Sequence, residues 1–89
     1  MLVRSGELEE AERVARAAVA LAEQTDYSEL RGQAFVALGR VLQAAGRIDE
    51  ASGAVERALS LYEEKGNRVA AAAATALLDE LRDAERAPT

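Results

Sequence analysis

Few side chains in this chain could carry out a reaction. Its 89 residues include neither histidine nor cysteine. That removes Ser-His-Asp and Cys-His nucleophiles, histidine-based zinc sites and a phosphoacceptor histidine. It also removes disulfides and thiolate chemistry. Carboxylates remain, in three adjacent pairs: Glu9 with Glu10, Glu63 with Glu64, and Asp79 with Glu80. Neighbours in a helix point about 100° apart, so these pairs do not converge on the shared, dry site that paired-carboxylate catalysis needs. The Glu-x-x-His motif of a di-iron bundle is absent. The six glycines are scattered and form no phosphate-cradling loop. The expectation is a chain with no catalytic site, no cofactor and no metal, whose acids are solvated surface.

Recognition is the chemistry left. Gln33, Val36, Arg40 and Gln43 are spaced by three, four and three, so on a helix they share one stripe. They are neither obviously core nor strongly charged. Ala73, Ala76, Glu80 and Asp83 would continue that surface on a later helix. The plain alternative is a solvent face with no occupant. Nucleic acid is a poor candidate partner. The net charge is −5, and 11 basic residues are interleaved with 16 acidic ones, whereas phosphate binding needs uncompensated cations on one face. No apolar run approaches the ~18 residues that would span a membrane, and no signal peptide is seen. A cytoplasmic protein is the expectation.

Four helical segments must position these residues. Apolar side chains recur at three and four from about Glu7 to Gln24, from Tyr27 to Ala45, from Asp49 to Lys65 and from Val69 to about Arg86. The expected core set includes Val14 and Leu21 on the first helix, Tyr27 and Leu30 on the second, and Val69 on the fourth. Asp26, with Glu29 three residues on, is the expected cap of the second helix. Asp49 is the expected cap of the third, with Ile48 as a hydrophobic staple, and Asn67 caps the fourth. Gly46 and Gly66 end the second and third helices. Residues 86–89, with the single proline, read as a frayed tail. No run alternates with period two, so strands are not expected. Connections of about two to four residues force antiparallel neighbours. With 21 alanines and three aromatics, the core must come from aliphatic side chains and closely approaching alanines. The run of five alanines at residues 70–74 fits smooth helix packing and needs no ligand.

Part of this pattern is written twice. A shift of 40 residues brings Gly6 onto Gly46, Glu10 onto Glu50, Ala11 onto Ala51, Ala18 onto Ala58 and Leu21 onto Leu61. A fixed period of this size is the mark of stacked helical hairpins. The matching glycines are read as turns, and the matching alanines as helix crossings.

On these residues the segment "AFVALGRVLQAAGRIDEASGAVERALSLYEE" resembles a tetratricopeptide repeat (TPR). Leu38 and Gly39 match the family's Leu-Gly pair and Leu42 the apolar position after it. Gly46 matches the turn glycine, Ala51 and Ala58 the two small positions, and Val55 the large apolar position between them. The usual closing proline is absent, and the period is 40 where the family's is about 34. This longer form is similar to repeats in bacterial signalling ATPases, transcription regulators and cyclase-like proteins. The resemblance implies an all-α, TPR-like α-solenoid of about four helices in antiparallel hairpins. It divides the single domain, 1–89, into a half repeat (5–25), a full repeat (27–65) and a terminal capping helix (67–86). Asp79, 40 residues after Gly39, is read as a polar end to the stack.

The resemblance further implies a protein–protein interaction module, the C-terminal segment of a larger bacterial regulatory protein, with a protein or peptide partner. It places Gln33, Val36, Arg40, Gln43 and Glu80 on the face that lines the family's concave groove. The family's basic clamp for C-terminal carboxylates is not visible. The alternative is a homodimer with no other ligand, formed through apolar positions left uncovered on the first helix. Because that helix lacks the one that would precede it in a repeat, the chain is read as a fragment of a longer protein.

Overall fold

The computed structural model describes residues 5–86. They form four helices: α1 (Ser5–Ala22), α2 (Ser28–Ala44), α3 (Ile48–Lys65) and α4 (Arg68–Arg86). Among the described residues there is no strand. Of the expected tail at residues 86–89, Arg86 is the last residue of α4, and 87–89 lie outside the described residues. Each helix packs on the next, and the α2–α3 pairing is the most extensive. The body measures 37 × 27 × 19 Å, and its thinnest dimension is two helix diameters of about 10 Å.

The core is small and aliphatic. Ala51, Val55 and Ala58 of α3 and Leu81 of α4 have no exposed surface, and Leu42 of α2 has almost none. Ala15, Leu38, Ala54, Tyr62, Ala74, Leu77 and Leu78 complete it. Two glycines of α2 set how near α3 can come. A Cβ built on Gly39 would stand 2.6 Å from Val55 Cγ2, and one on Gly32 would stand 2.6 Å from the Tyr62 ring. Gly39 also lies over the Ala51 carbonyl and the Ala54 methyl, so both positions must be small.

The turns explain where the helices begin. Gly46 and Gly66 adopt left-handed φ angles of 79° and 69°. At the first, Gly46 N–H donates to Gln43 O and Arg47 N–H to Leu42 O. At the second, Gly66 N–H donates to Glu63 O and Asn67 N–H to Tyr62 O. These are two Schellman motifs. In each, the residue after glycine both closes the old helix and starts the new one: the Arg47 carbonyl accepts from Ala51 N–H, and the Asn67 carbonyl from Ala71 N–H. Asn67 caps α4 through its own side chain, accepting from Ala70 N–H at 3.1 Å.

Several expectations are corrected by this geometry. Asp49 does not cap α3. The Schellman turn delivers the chain into the helix at Ile48, one residue too early, and Arg47 occupies the cap position without a side-chain bond. Nor does Asp26 cap α2. Tyr27 stands there, also without a side-chain bond, while Thr25 donates its hydroxyl to Ala22 O. Gly6 is not a turn residue, since it lies inside α1. Finally, α1 ends at Ala22, three residues before the position equivalent to Lys65. Asp26 stands where α3 has Gly66, and no non-glycine residue here adopts positive φ. The helix instead tightens into i→i−3 bonds, Gln24 N–H to Leu21 O and Thr25 N–H to Ala22 O.

Gly39 and Gly53 make a paired test. Alanine gains up to about 1 kcal/mol over glycine inside a helix. At Gly53, where a Cβ meets nothing within 4 Å, Gly53→Ala should raise stability by about 0.5–1 kcal/mol. At Gly39 the new methyl must displace the β-branched Val55, so Gly39→Ala should lower stability by about 1–2 kcal/mol net. Urea unfolding of the two variants checks both signs.

Candidate interaction surface

The six paired carboxylates, Glu9, Glu10, Glu63, Glu64, Asp79 and Glu80, are all exposed. Among the described residues no cluster of three acids could hold a metal ion, and no helix is long and apolar enough to cross a membrane.

The α2 stripe runs along the edge of the core. Gln33 and Arg40 are exposed, while Val36 and Gln43 are half-buried. Val36 rests one side against the core cluster. Arg40 makes no ion pair among the described residues, although Arg13, Arg16 and Arg86 each make one and Arg47 makes two. On α4, Ala73, Ala76, Glu80 and Asp83 are exposed. The packing positions are arranged otherwise: Leu38, Gly39, Leu42, Ala51, Val55 and Ala58 are buried, and Gly46 is the left-handed turn.

Large apolar residues expected in the core stand outside it. Val14 is 59% exposed, Leu21 67%, Tyr27 74%, Leu30 46% and Val69 84%. For Val69 the signal was present in its spacing. Positions 69, 73, 76, 80 and 83 share a helix line, so Val69 extends the outer face of α4 and takes no part in its buried stripe of Ala74, Leu77, Leu78 and Leu81. Tyr27 stands at the cap position before α2, outside the helix's buried stripe.

Ionic contacts hold the helix ends. Arg47 bonds both Glu12 of α1 and Glu50 of α3, and Arg16 donates to Glu12 at 2.8 Å. At the start of α4, Asn67 donates to Glu29 of α2 at 3.2 Å. Hydrogen bonds from Arg16 and Arg47 hold the Glu12 carboxyl below its usual range, and Arg47 does the same for Glu50. Glu85, near the end of α4, meets Asp49 at the start of α3, and sharing a hydrogen bond with that like charge pushes its carboxyl up.

The family model for the tetratricopeptide repeat matches residues 1–64. The chain belongs to the tetratricopeptide repeat family. No curated protein and no solved structure matches it. Tetratricopeptide repeats generally mediate protein–protein interaction, and the family is a non-catalytic repeat scaffold. The matched span takes in α1, α2 and nearly all of α3, and α4 lies beyond it.

The ion pairs fix a pH dependence. Glu12 and Glu50 have depressed folded-state pKa values, so the stability they bring is complete above the ordinary glutamate range and is lost as pH falls through their folded values. Glu85 runs the other way: its raised value favours the fold at acid pH and disfavours it as pH rises. Arg47→Gln should therefore flatten the acid limb of the unfolding midpoint plotted against pH. Glu85→Gln should raise the midpoint at pH 7 and leave it unchanged at low pH. Thermal melts from pH 7 to 4 read both.

Proposed function

We propose that this chain is a protein–protein interaction module, the C-terminal repeat segment of a larger bacterial regulatory or signalling protein that works in the cytoplasm. In this reading residues 5–25 are the second half of one repeat, 27–65 a full repeat of the long, 40-residue form, and 67–86 a capping helix. The module has no catalytic role and takes no cofactor. Its partner is a protein or peptide that lies across Gln33, Val36, Arg40 and Gln43 and reaches Glu80.

One observation carries the assignment of this face. Arg40 is exposed and makes no ion pair among the described residues, on a helix whose adjoining positions, Val36 and Gln43, are only half-covered. A guanidinium of this kind offers a fork of donors to a carboxylate or carbonyl of the partner. Beside it, Val36 supplies apolar area. The family's general role in binding proteins supports the same reading.

A second reading is a homodimer through α1, favoured by the exposure of Val14 and Leu21. Sedimentation at rising concentration separates the two, and a strictly monomeric chain removes the dimer.

The first reading is tested by affinity purification of the intact protein beside a Val36→Glu, Arg40→Glu variant of matching helicity and unfolding midpoint. The expected outcome is a polypeptide retained by the parent and reduced about tenfold or more by the variant, as loss of a central contact pair does. A captured set indifferent to the two changes removes this face from the assignment.

A further inference from the structure

On the side of α2 opposite Gln33, Val36, Arg40 and Gln43, a cleft of about 400 Å³ opens between α1 and α3. Arg16 of α1 forms one wall, Gly53 and Arg57 of α3 the other, and Phe35, Leu38 and Leu42 of α2 the floor. Every residue lining it is among the described residues, and its one α1 member, Arg16, stands about 17 Å along the helix from Ser5. Several groups here have no use inside the fold. Glycine destabilises a helix interior relative to alanine, yet a Cβ at Gly53 would meet nothing within 4 Å, so packing within the chain does not require glycine there. Arg57 makes no ion pair among the described residues. Its guanidinium lies 5.9 Å over the Phe35 ring. Arg16 bonds Glu12 through Nε, and its two terminal nitrogens make no hydrogen bond among the described residues. One turn before Phe35, on the same line of α2, Arg31 has a buried Nε with no hydrogen-bond partner among the described residues. The local acids are already engaged, because Arg47 holds both Glu12 and Glu50. Arg16, Arg47 and Arg57 against Glu12 and Glu50 give +1, in a chain of net charge −5.

We propose that this cleft docks a short, extended, acidic segment of a partner protein, with an apolar side chain against Phe35 and a carboxylate on either side of it, one paired with Arg16 and the other with Arg57. The planar guanidinium offers a fork of donors that matches a carboxylate. Gly53 lets the segment's backbone approach α3 with no side chain between them. Leu38, Leu42 and Ala54 are already covered, so what the cleft presents is chiefly two guanidiniums, a glycine backbone and the half-buried Phe35. An uncharged apolar ligand would find little area there. A nucleic acid would run on past the cleft, and with +1 taken from −5 the rest of the chain sums to −6, so a short anionic segment fits where a long polyanion does not. A second copy of this chain is also disfavoured. Its acidic pairs lie within helices, its Glu29 is held by Asn67 of its own fold, and each copy carries −5.

The probe is the blocked peptide acetyl-Asp-Glu-Leu-Glu-Asp-amide, titrated at low salt into the isotope-labelled chain beside its neutral counterpart acetyl-Asn-Gln-Leu-Gln-Asn-amide. Amide shifts are expected at Arg16, Phe35, Gly53 and Arg57, with a Kd of roughly 1 mM or tighter for the acidic peptide and about tenfold weaker for the neutral one. Arg57→Gln should weaken binding of the acidic peptide about tenfold. Gly53→Ala should weaken it about threefold or more while raising the urea midpoint, so loss of binding is separated from loss of fold. Arg40→Glu should leave it unchanged, which separates this cleft from the α2 stripe. The proposal is overturned by an absence of shifts at these four amides, by equal binding of the neutral peptide, or by unchanged binding in either Arg57→Gln or Gly53→Ala. It is also overturned if inorganic phosphate shifts the same amides as strongly, which marks a site for free anions, or if the parent chain forms a dimer that Tyr27→Ala dissolves, which puts the chain's own residues 26–29 in the cleft.

Discussion

The distance between α2 and α3 is the constraint on which the rest of this molecule depends. With three aromatic residues in 89, the chain cannot fill a wide interhelical space. It closes the space instead. Gly32 and Gly39 remove the two Cβ atoms that would strike Tyr62 and Val55 and hold the axes apart, and Ala51 and Ala54 present a low surface to Gly39. Dispersion contacts are short-ranged, so a gap of even one methyl would forfeit much of their sum. Leu38, Leu42, Val55 and Tyr62 then interlock around a contact already made by small residues. The same closeness leaves the outer positions of α2 free, and this puts Arg40 and Gln33 in solvent while Val36 stays anchored.

Much of this was legible from residue types and spacing. The four helices, the glycine turns at 46 and 66, the Asn67 cap and the small crossing residues follow from the period of 3.6 and the shift of 40. The capping acids did not follow. A Schellman turn merges the end of one helix with the start of the next, and that merger decides between Ile48 and Asp49 as the first helical residue. Composition near the boundary favours the acid, but backbone geometry overrules it. Gln33, Val36, Arg40, Gln43 and Glu80 could be set on helix faces in advance, and their exposure in the fold is compatible with that placement. The lack of an ion pair at Arg40 among the described residues depends on what the neighbouring helices bring near, which spacing alone does not reveal.

The exposed Val14, Leu21 and Leu30 show a different limit. A hydrophobic stripe states that a face is meant to be covered, and it is silent on whether the covering helix is present. On α3 the covering is α2; on α1 the equivalent positions are exposed among the described residues. The repeat makes this visible because one copy shows what the other lacks. Family membership adds that protein binding is the general role of such a scaffold, while the chemistry of any particular partner must be read from the side chains themselves.

The three connections differ in slack. Between α2 and α3, and between α3 and α4, only three and two residues intervene, each locked by a left-handed glycine and two backbone hydrogen bonds. One added residue at either would turn the following helix by about 100° and swing its buried stripe into water. Residues 23–27 contain no such lock. Length changes can accumulate there at small entropic cost, so the joint between α1 and α2 is where the orientation of one hairpin relative to the next can be altered without rebuilding either.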